Sequence, residues 1–598
     1  MLSFLIIYTS SIIIFFPREN ELDEKIIYAA LFASFPFSQL LLGFISLLSI
    51  FFGISKIPLL IFSIIILFFS ILINKNCLSK LFKIKTFLDN EIRNFFNKSN
   101  INKLQKVYLY LIVLLLILIF LSSVGPINHP DSADYHVGYP YQYYLRGKFF
   151  VDGGLHQGLL GLADYANLAF VQENNIWLIR FVQIINLPLI ITFLSRSIKN
   201  NFYLIAFLSV PTIIQWSTIG KPLFLGESSL IVLYIIWKSN KSIYTIKLLL
   251  ISIISCVTFK ISSIIIITPI LIDLTLNLLI DEQKNKKIVQ SIKYILTSKL
   301  ILISLLALIC ITISRFLITG NFFYPLLANL FNKNDELVIN FANFISSYNR
   351  ENLFFIRIFL PNSFSDLGSS LGPSIWILFI SLIFVNLNSK KKKIIKSCDS
   401  LLFICLAQLV LLILVCQGRA DYYVAPLIIL IYKSEELINS IKKYKIKFLF
   451  YIATISQFFI IILFLFSSIY LNFLALKDYS KLMHKTAYGY NLSKIIDQNI
   501  SGSFLINKRN MRLYYPNNYL EIDKFKKCIK ENELLKLSNS KDLCLKKYNI
   551  KQIITNLSDK VNEKHYDCKL INTDAASRNF FNRKKQTFKY CKMATLSE

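Results

Sequence analysis

The chain has 598 residues, of which 55% are hydrophobic, and its mean hydropathy is +0.54. Apolar runs of about 17–25 residues recur along most of its length, and each is long enough to cross a hydrocarbon core of about 30 Å. This composition excludes an ordinary soluble protein. The net charge is +31, but no aromatic and basic pattern of a nucleic-acid module accompanies it, so we expect no nucleic-acid partner.

We predict an all-α polytopic transmembrane bundle of about 14 helices, because backbone amides in lipid must be satisfied within each segment. The first apolar run, 2–16, lacks a basic leader and a cleavage site, so we expect a retained helix. The segments 227–237, 247–258 and 422–432 are too short to span unaided and must tilt or extend into polar flanks. The predicted helices lie near 1–16, 28–52, 56–74, 107–124, 176–194, 202–217, 227–237, 247–258, 262–280, 299–318, 373–388, 400–416, 422–432 and 448–473.

Short loops rich in Lys and Arg predict the cytoplasmic side of the bundle. These loops are 75–106, 281–298, 389–397 and 433–447. With this number of crossings, the loops 125–175 and 319–372 and the tail 474–598 fall on the opposite side. Within the first basic loop, residues 75–104 mix apolar residues with lysine at helical spacing. They predict either an amphipathic helix in the membrane interface or a solvated basic linker.

The composition divides the chain into three parts: amino-terminal helices with their basic linker (1–106), a transmembrane region (107–475) and a polar tail (476–598). Strand-like pieces at 503–506, 550–555 and 587–593 and helix-like pieces at 491–500 and 523–537 in the tail predict a small extra-cytoplasmic α/β domain. Four cysteines in an oxidising compartment should pair. Chain order favours Cys528–Cys544 and Cys568–Cys591, although four cysteines allow three connectivities.

The first outer loop, directly after the apolar run 107–124, concentrates titratable side chains. Three of the five histidines lie there, close to Asp131 and Asp134. A carboxylate at a membrane surface can act as a general base toward a hydroxyl group. Alternatively, Asp131, Asp134 and His136 could hold a divalent metal ion. A third interpretation is a solvated loop in which Pro130 and Asp131 begin a short helix.

The second outer loop begins with residues 319–325 (TGNFFYP), which include Asn321 and Tyr324. Glycine and proline on either side of the aromatic residues could shape a substrate groove. The simpler interpretation is an ordinary helix exit with interfacial aromatic residues.

The third outer loop, residues 417–426 (QGRADYYVAP), contains Arg419. The guanidinium group suits phosphate, but it could instead pair with Asp421 or extend to lipid headgroups. Lys221 and Lys260 are further cations near the same boundary, and cations within apolar segments are functional candidates by default.

These three loops together resemble the GT-C superfamily of polytopic glycosyltransferases, which includes protein O-mannosyltransferases and lipid A aminoarabinose transferases. The similar elements are Pro-Asp-x-x-x-Tyr-His at 130–136, Thr-Gly-Asn-x-x-Tyr-Pro at 319–325 and Gly-Arg-x-x-Tyr-Tyr-x-x-Pro at 418–426, within roughly 107–475. The resemblance implies that an acidic residue of the first loop serves catalysis or metal binding. Asp131 matches best and Asp134 second. It also implies that Arg419 contacts the phosphate of a lipid-linked sugar.

From the residues themselves, His136 is a further catalytic candidate, and Tyr135, Asn321, Tyr324 and Lys260 are candidates for substrate binding. The chain departs from the family in two respects. Three predicted helices precede the one that leads into the first loop, and the paired acids of some relatives are replaced by Asp-Ser-Ala-Asp.

The sequence therefore predicts a multi-pass membrane glycosyltransferase. It would take sugar from a polyprenyl-phosphate carrier among the membrane lipids, in a bacterial inner membrane, with its site facing the periplasm. The acceptor would be an envelope glycan, lipid or protein. The chain has no phosphate-binding loop or dinucleotide-binding glycine pattern. Two alternatives stay open: a transporter or flippase of lipid-linked glycans, which should carry charges at its helix centres, and a non-catalytic scaffold for envelope assembly.

Overall fold

A computed structural model describes most of the first 487 residues and separate stretches of the remainder. The described residues are 1–16, 23–74, 76–96, 103–129, 131–151, 155–280, 298–331, 339, 370–388, 399–416, 422–440, 444–487, 490, 493–494, 504–506, 513, 519–521, 525, 528–530, 532–533, 540–550, 552–556, 566–575 and 584–593. Within these ranges the chain is mostly helical, with one small sheet near its carboxyl end.

The α-helices follow one another closely along the chain. In order they are α1 (Leu2–Phe15), α2 (Glu24–Phe51), α3 (Leu59–Ile73), α4 (Cys77–Phe96), α5 (Lys103–Ser123), α6 (Gly138–Arg146), α7 (Leu162–Tyr165), α8 (Asn167–Gln172), α9 (Ile179–Val182), α10 (Leu187–Ser197), α11 (Phe202–Leu208), α12 (Pro211–Ile219), α13 (Phe224–Asn240), α14 (Ile243–Phe259), α15 (Ile264–Ile280), α16 (Lys299–Thr319), α17 (Ala328–Phe331), α18 (Pro373–Asn388), α19 (Asp399–Cys416), α20 (Val424–Tyr432), α21 (Ser434–Ser440), α22 (Tyr444–Lys477), α23 (Tyr479–Thr486) and α24 (Ser540–Lys547).

Several of these helices have the length and apolar composition to cross a membrane. In the part of the chain that the structure describes there are five: Glu24–Phe51, Lys103–Ser123, Ile176–Ser197, Lys299–Thr319 and Lys445–Lys477. The number rises to seven if α3 with α4, bent by 101°, and α11 with α12, bent by 47°, each form one span. The predicted helical architecture is therefore present with fewer candidate spans than expected, and the 14 crossings and their sidedness stay predictions.

The differences from the predicted helices have local causes. The predicted helix 202–217 is broken into α11 and α12 because Pro211 lacks an amide hydrogen and disfavours helical geometry at the residue before it. The predicted helices 227–237 and 247–258 extend into polar flanks and become α13 and α14, with 17 residues each. Ser242 begins α14 by accepting a hydrogen bond from the Thr245 amide.

The core of the helical region surrounds α2. This helix packs against α1, α13 and α14, and most of its residues are buried. By contrast, the most apolar part of α22 is largely exposed, as expected for a helix with a lipid-facing surface.

The tail contains a five-stranded mixed sheet with the strand order β2-β1-β3-β5-β4. The strands are β1 (Phe504–Ile506), β2 (Tyr519–Glu521), β3 (Gln552–Asn556), β4 (Tyr566–Ala575) and β5 (Lys584–Met593). The inner strands β1 and β3 are parallel, and β5 runs antiparallel to both β3 and β4. Sequence analysis located β1, β3 and β5 but missed β2 and β4.

Two disulfides hold the tail together, with the pairing that chain order favours. Cys528 is bonded to Cys544, which lies within α24. Cys568 is bonded to Cys591, its direct partner across the β4–β5 ladder. Cys528, Cys544 and Cys591 are buried, together with Phe525 and Ile553, in a small core of the tail.

Candidate active site

The predicted first outer loop folds back onto the helix ends. After α5, the chain enters a single π-helical turn, Ser132–His136, and then α6. The Ser132 hydroxyl donates a hydrogen bond to the carbonyl of Ile219 at the end of α12. At the other end of the turn, the Asn167 side chain donates to the carbonyl of His136 at 2.7 Å. The turn is thereby buried, and π-helical turns often occur at functional sites.

Asp131, the predicted catalytic acid, forms an ion pair with Lys221. The Asp131 Oδ2 atom lies 2.9 Å from the Lys221 Nζ atom; the aspartate side chain is 39% exposed and the lysine side chain 5%. Burial alone would raise the pKa of Asp131, but the positive charges of Lys221, His129 and His136 outweigh it and hold that pKa well below its usual range. Asp131 is therefore an ionised carboxylate that is partly accessible to solvent.

Asp134, the second candidate, is buried beneath the turn and pairs with a histidine. The Asp134 Oδ2 atom lies 3.5 Å from Nδ1 of His156. Tyr135, a predicted substrate-binding residue, is also almost fully buried. Its ring stacks on His156 at a centroid distance of 5.4 Å and contacts His136 at 4.0 Å. Asp134 and Tyr135 therefore shape the interior of the site and are not its accessible groups.

His136 forms a second histidine–carboxylate pair. Its Nδ1 atom lies 2.6 Å from Oδ1 of Asp164, whose other oxygen accepts a hydrogen bond from the Gly161 amide at 2.9 Å. Burial lowers the pKa of His136, although Asp164 opposes this effect. In the neutral ring, Nδ1 donates to the carboxylate and leaves the lone pair on Nε2. Nε2 is buried and has no hydrogen-bond partner among the described residues, so it is available to accept a proton.

Two glycines position α7, the helix that carries Asp164. A side chain at Gly43 of α2 would overlap the backbone of Leu162, and one at Gly161 would overlap the carbonyl of Phe259. The absence of side chains at both positions lets α7 lie directly between α2 and the end of α14. This packing places Gly161, three residues before Asp164, against Phe259, the last residue of α14.

Lys260 connects the first loop with the third. Its Nζ atom lies 4.6 Å from the centroid of the Tyr422 ring, a cation–π contact. Its positive charge also contributes to lowering the pKa of His136. Arg419, the predicted phosphate ligand, lies outside the described residues, three positions before Tyr422. The electrostatic interactions of His136 with Asp131 and with Lys260 show that these three side chains lie in one neighbourhood.

Arg180 holds the two chain segments that form the Asp131–Lys221 pair. Its guanidinium donates to the carbonyls of Ser122 and Ser123 at the end of α5 and of Thr218 at the end of α12, over 3.2–3.4 Å. It also donates to Oδ1 of Asn472 in α22 at 3.1 Å. Carbonyls at helix ends lack partners within the helix and carry partial negative charge. One buried cation therefore caps the two helices from which Asp131 and Lys221 emerge.

The two predicted residues of the second outer loop are buried. Asn321 is fully buried, donates to the Leu326 carbonyl and accepts from the Phe323 amide, both at 2.8 Å. It therefore stabilises its own turn, as asparagine commonly does. Tyr324 is also fully buried, and a side chain at Gly158 would overlap its ring. Both side chains pack the second loop, Tyr324 against the first loop at Gly158, and substrate binding by either residue stays a prediction.

A shared metal site is not formed by Asp131, Asp134 and His136. Each of them has a different partner: Lys221, His156 and Asp164, respectively. Among the described residues, no group of three histidine, cysteine, aspartate or glutamate side chains could hold a metal ion. The three residues thus do not fit the divalent metal that the sequence allowed.

Two buried arginines were missed by sequence analysis, although a signal was present. Arg180 and Arg315 interrupt otherwise apolar segments, and such cations deserve a functional interpretation by default. Arg315 lies near the carboxyl end of α16, and its Nη2 atom is 3.5 Å from the carbonyl of Leu160, just before α7. Both arginines therefore support the site from helix ends.

Comparison with known proteins adds no relative to this description. No family model matches the chain, and no curated protein matches it in sequence.

Proposed function

We propose that this chain is an integral membrane glycosyltransferase. It moves a sugar from a polyprenyl-phosphate carrier to a hydroxyl group of an envelope glycan, lipid or protein. The observation that carries the proposal is the Asp131–Lys221 pair: an accessible carboxylate beside a buried cation, at the end of α5, a helix with the composition of a membrane span. We place the site on the periplasmic face of a bacterial inner membrane, because the basic loops favour that orientation.

The reaction needs a proton acceptor and a cation. The acceptor oxygen bonds to the anomeric carbon of the sugar, and the bond from that carbon to the phosphate oxygen breaks. The proton of the acceptor hydroxyl passes to the Asp131 carboxylate, and the electron pair of the broken bond leaves with the polyprenyl phosphate. Lys260 and Arg419 stabilise the charge that develops on the leaving phosphate. Lys221 keeps Asp131 ionised and in place.

The position of the charges supports surface chemistry over transport. Arg180 lies near the beginning of the segment Ile176–Ser197, and Arg315 lies one turn from the end of α16. Both contact helix-terminal or loop backbone. A transporter should instead carry such groups at helix centres, along the path of its cargo. Cations at helix ends suit a lipid whose phosphate lies at headgroup level.

The test compares Asp131→Asn with wild type in a strain that lacks the chromosomal gene. Asparagine keeps the size of the side chain but removes its charge and basicity. We expect sugar transfer to fall by about 10²–10⁴-fold, the range for loss of a general base, and the unused lipid-linked sugar to accumulate. The measurement is mass spectrometry of envelope glycans and of extracted polyprenyl-phosphate sugars.

Asp567→Asn is the matched control. Asp567 is exposed on β4, far along the chain from the site, and its replacement should leave both glycan profiles unchanged. All variants are compared at equal abundance in the membrane. Wild-type profiles from both Asp131→Asn and Asp134→Asn would contradict the proposal and favour the transporter or scaffold.

A further inference from the structure

The helix α4 has a surface that the proposed function does not use. It follows α3, an apolar and largely exposed helix, after a turn of 101°. One face of α4 is attached to the helical core. There Glu91 pairs with Arg196 of α10 and accepts a hydrogen bond from the Tyr28 hydroxyl, and Phe87 packs edge-on against the Tyr28 ring at 5.1 Å. These contacts fix how the helix is rotated about its axis.

The remaining surface of α4 divides into two sectors. With 3.6 residues per turn, each residue advances by about 100° around the helix. One exposed sector carries large apolar side chains, namely Leu78, Phe82, Ile92 and Phe96, whose exposed fractions range from 46% to 83%. The adjacent sector is polar throughout and consists of Ser79, Lys83, Thr86, Asn90, Arg93 and Asn94. Lys85 and Asp89, opposite in charge and one turn apart, lie in the middle of the apolar sector.

This division is the pattern of a helix that lies in the plane of a membrane interface, with apolar side chains toward the acyl chains and polar ones toward water. We infer that α4 is such an in-plane helix. Its exposed surface contacts the headgroup region of a bilayer that contains anionic lipid. The net positive charge of α4 supports contact with anionic lipid. Lys80, Lys83, Lys85 and Arg93 outnumber Asp89 and Glu91, and Glu91 is already paired with Arg196.

The perpendicular turn explains the arrangement. A continuous helix from α3 through α4 would carry these charges into the hydrocarbon. With the turn, the apolar α3 can lie along the membrane normal, while α4 lies nearly perpendicular to α3 in the plane of the interface. The Lys80 Nζ atom stabilises the corner, with the carbonyls of Ile13 and Phe16 at 3.4 Å and Oδ1 of Asn74 at 3.0 Å.

The test measures the depth of nitroxide labels on the full-length protein in nanodiscs. Labels are attached to Phe82→Cys and Ile92→Cys in the apolar sector, with Thr86→Cys and Asn90→Cys in the polar sector as matched controls. The accessibility of each label to oxygen and to a water-soluble nickel chelate gives its depth. We expect labels at 82 and 92 to lie about 5–10 Å below the headgroup surface and to favour oxygen. Labels at 86 and 90 should favour the nickel chelate. The wild-type protein, treated in the same way, gives the background from its own thiols.

Two results would overturn the inference. Nickel accessibility at 82 and 92 equal to that at 86 and 90 would mean that water covers the apolar sector. Protection of 82 and 92 from both reagents would mean that protein covers it. The anionic-lipid part has its own measurement: labels at 82 should lie deeper with phosphatidylglycerol than in phosphatidylcholine alone, and equal depth would contradict that part. None of these readouts depends on sugar transfer.

Discussion

Replacement of Lys221 by glutamine should move the acidic limit of activity to higher pH. The Lys221 Nζ atom lies 2.9 Å from the Asp131 carboxylate. At that distance two unit charges interact by about 1.4 kcal/mol in water and by about 6 kcal/mol at an effective dielectric constant of about 20. Because the Asp131 side chain is 39% exposed, we expect the lower part of this range. The loss of this interaction therefore raises the pKa of Asp131.

The direction of the shift follows from the charges. In the wild-type protein the pKa of Asp131 is held well below its usual range, so the carboxylate stays ionised as the pH falls through about 4. Without Lys221, less positive charge opposes the effect of burial, so burial raises the pKa of Asp131. The base is then protonated, and activity lost, at a higher pH than in wild type.

The assay is the rate of sugar transfer in isolated membranes as a function of pH, with donor in excess. Lys221→Arg keeps the positive charge and is the matched control, so its acidic limit should stay close to that of wild type. The reasoning would be refuted if Lys221→Gln lost activity over the same acidic range as Lys221→Arg. That result would mean that Asp131 does not supply the titrating base.

Five other substitutions test separate parts of the structure. Asp131→Asn should lower transfer by about 10²–10⁴-fold and Asp134→Asn by less, because Asp134 is buried behind the turn; transfer rates at equal abundance decide this. Asp164→Asn should lower transfer by less than Asp131→Asn, since the amide can donate to His136, reverse its tautomer and disturb the turn beside Asp131; transfer at the wild-type rate would contradict this positioning role. Arg180→Lys should cost about 1–3 kcal/mol of stability, seen as a lower unfolding temperature in detergent, because an ammonium group cannot serve the same carbonyls. Cys591→Ser should destabilise the tail by about 2–4 kcal/mol, and limited proteolysis of the tail should then be faster; unchanged protection would speak against the Cys568–Cys591 bond.

Hydrophobic patterning predicted the parts of the fold that depend on local sequence. The apolar run 107–124 corresponds to α5, and 448–473 lies within α22. In the tail, alternation located β3 and β5. The number of spans was harder to predict, because a proline can break a run, as in α11 and α12, and a polar flank can extend one, as in α13 and α14. Whether an apolar run is broken or extended depends on its packing against neighbouring helices.

The candidate site was predicted as a set of residues but not as a set of pairs. Spacing identified Asp131, Asp134 and His136 because they are close in sequence. Their partners Lys221 and Asp164 come from other elements, and the packing of α7 and α12 determines these contacts. Asn321 shows what the motif alone does not reveal: its side-chain amide satisfies its own turn. Local hydrogen bonding of this kind competes with function wherever asparagine follows a helix end.

Backbone carbonyls at helix ends balance the buried positive charge of Arg180. Arg180 has four acceptors, three of which are backbone carbonyls of Ser122, Ser123 and Thr218. Because these helix-terminal dipoles stabilise the guanidinium, Arg180 requires no carboxylate for this purpose. Asp131 is therefore available to form its ion pair with Lys221. A carboxylate in place of the carbonyls would compete with Asp131 for the nearby cations and weaken the pair that keeps it ionised. The arrangement therefore separates the cation that holds the loops, Arg180, from the buried cation that pairs with the partly exposed carboxylate, Lys221.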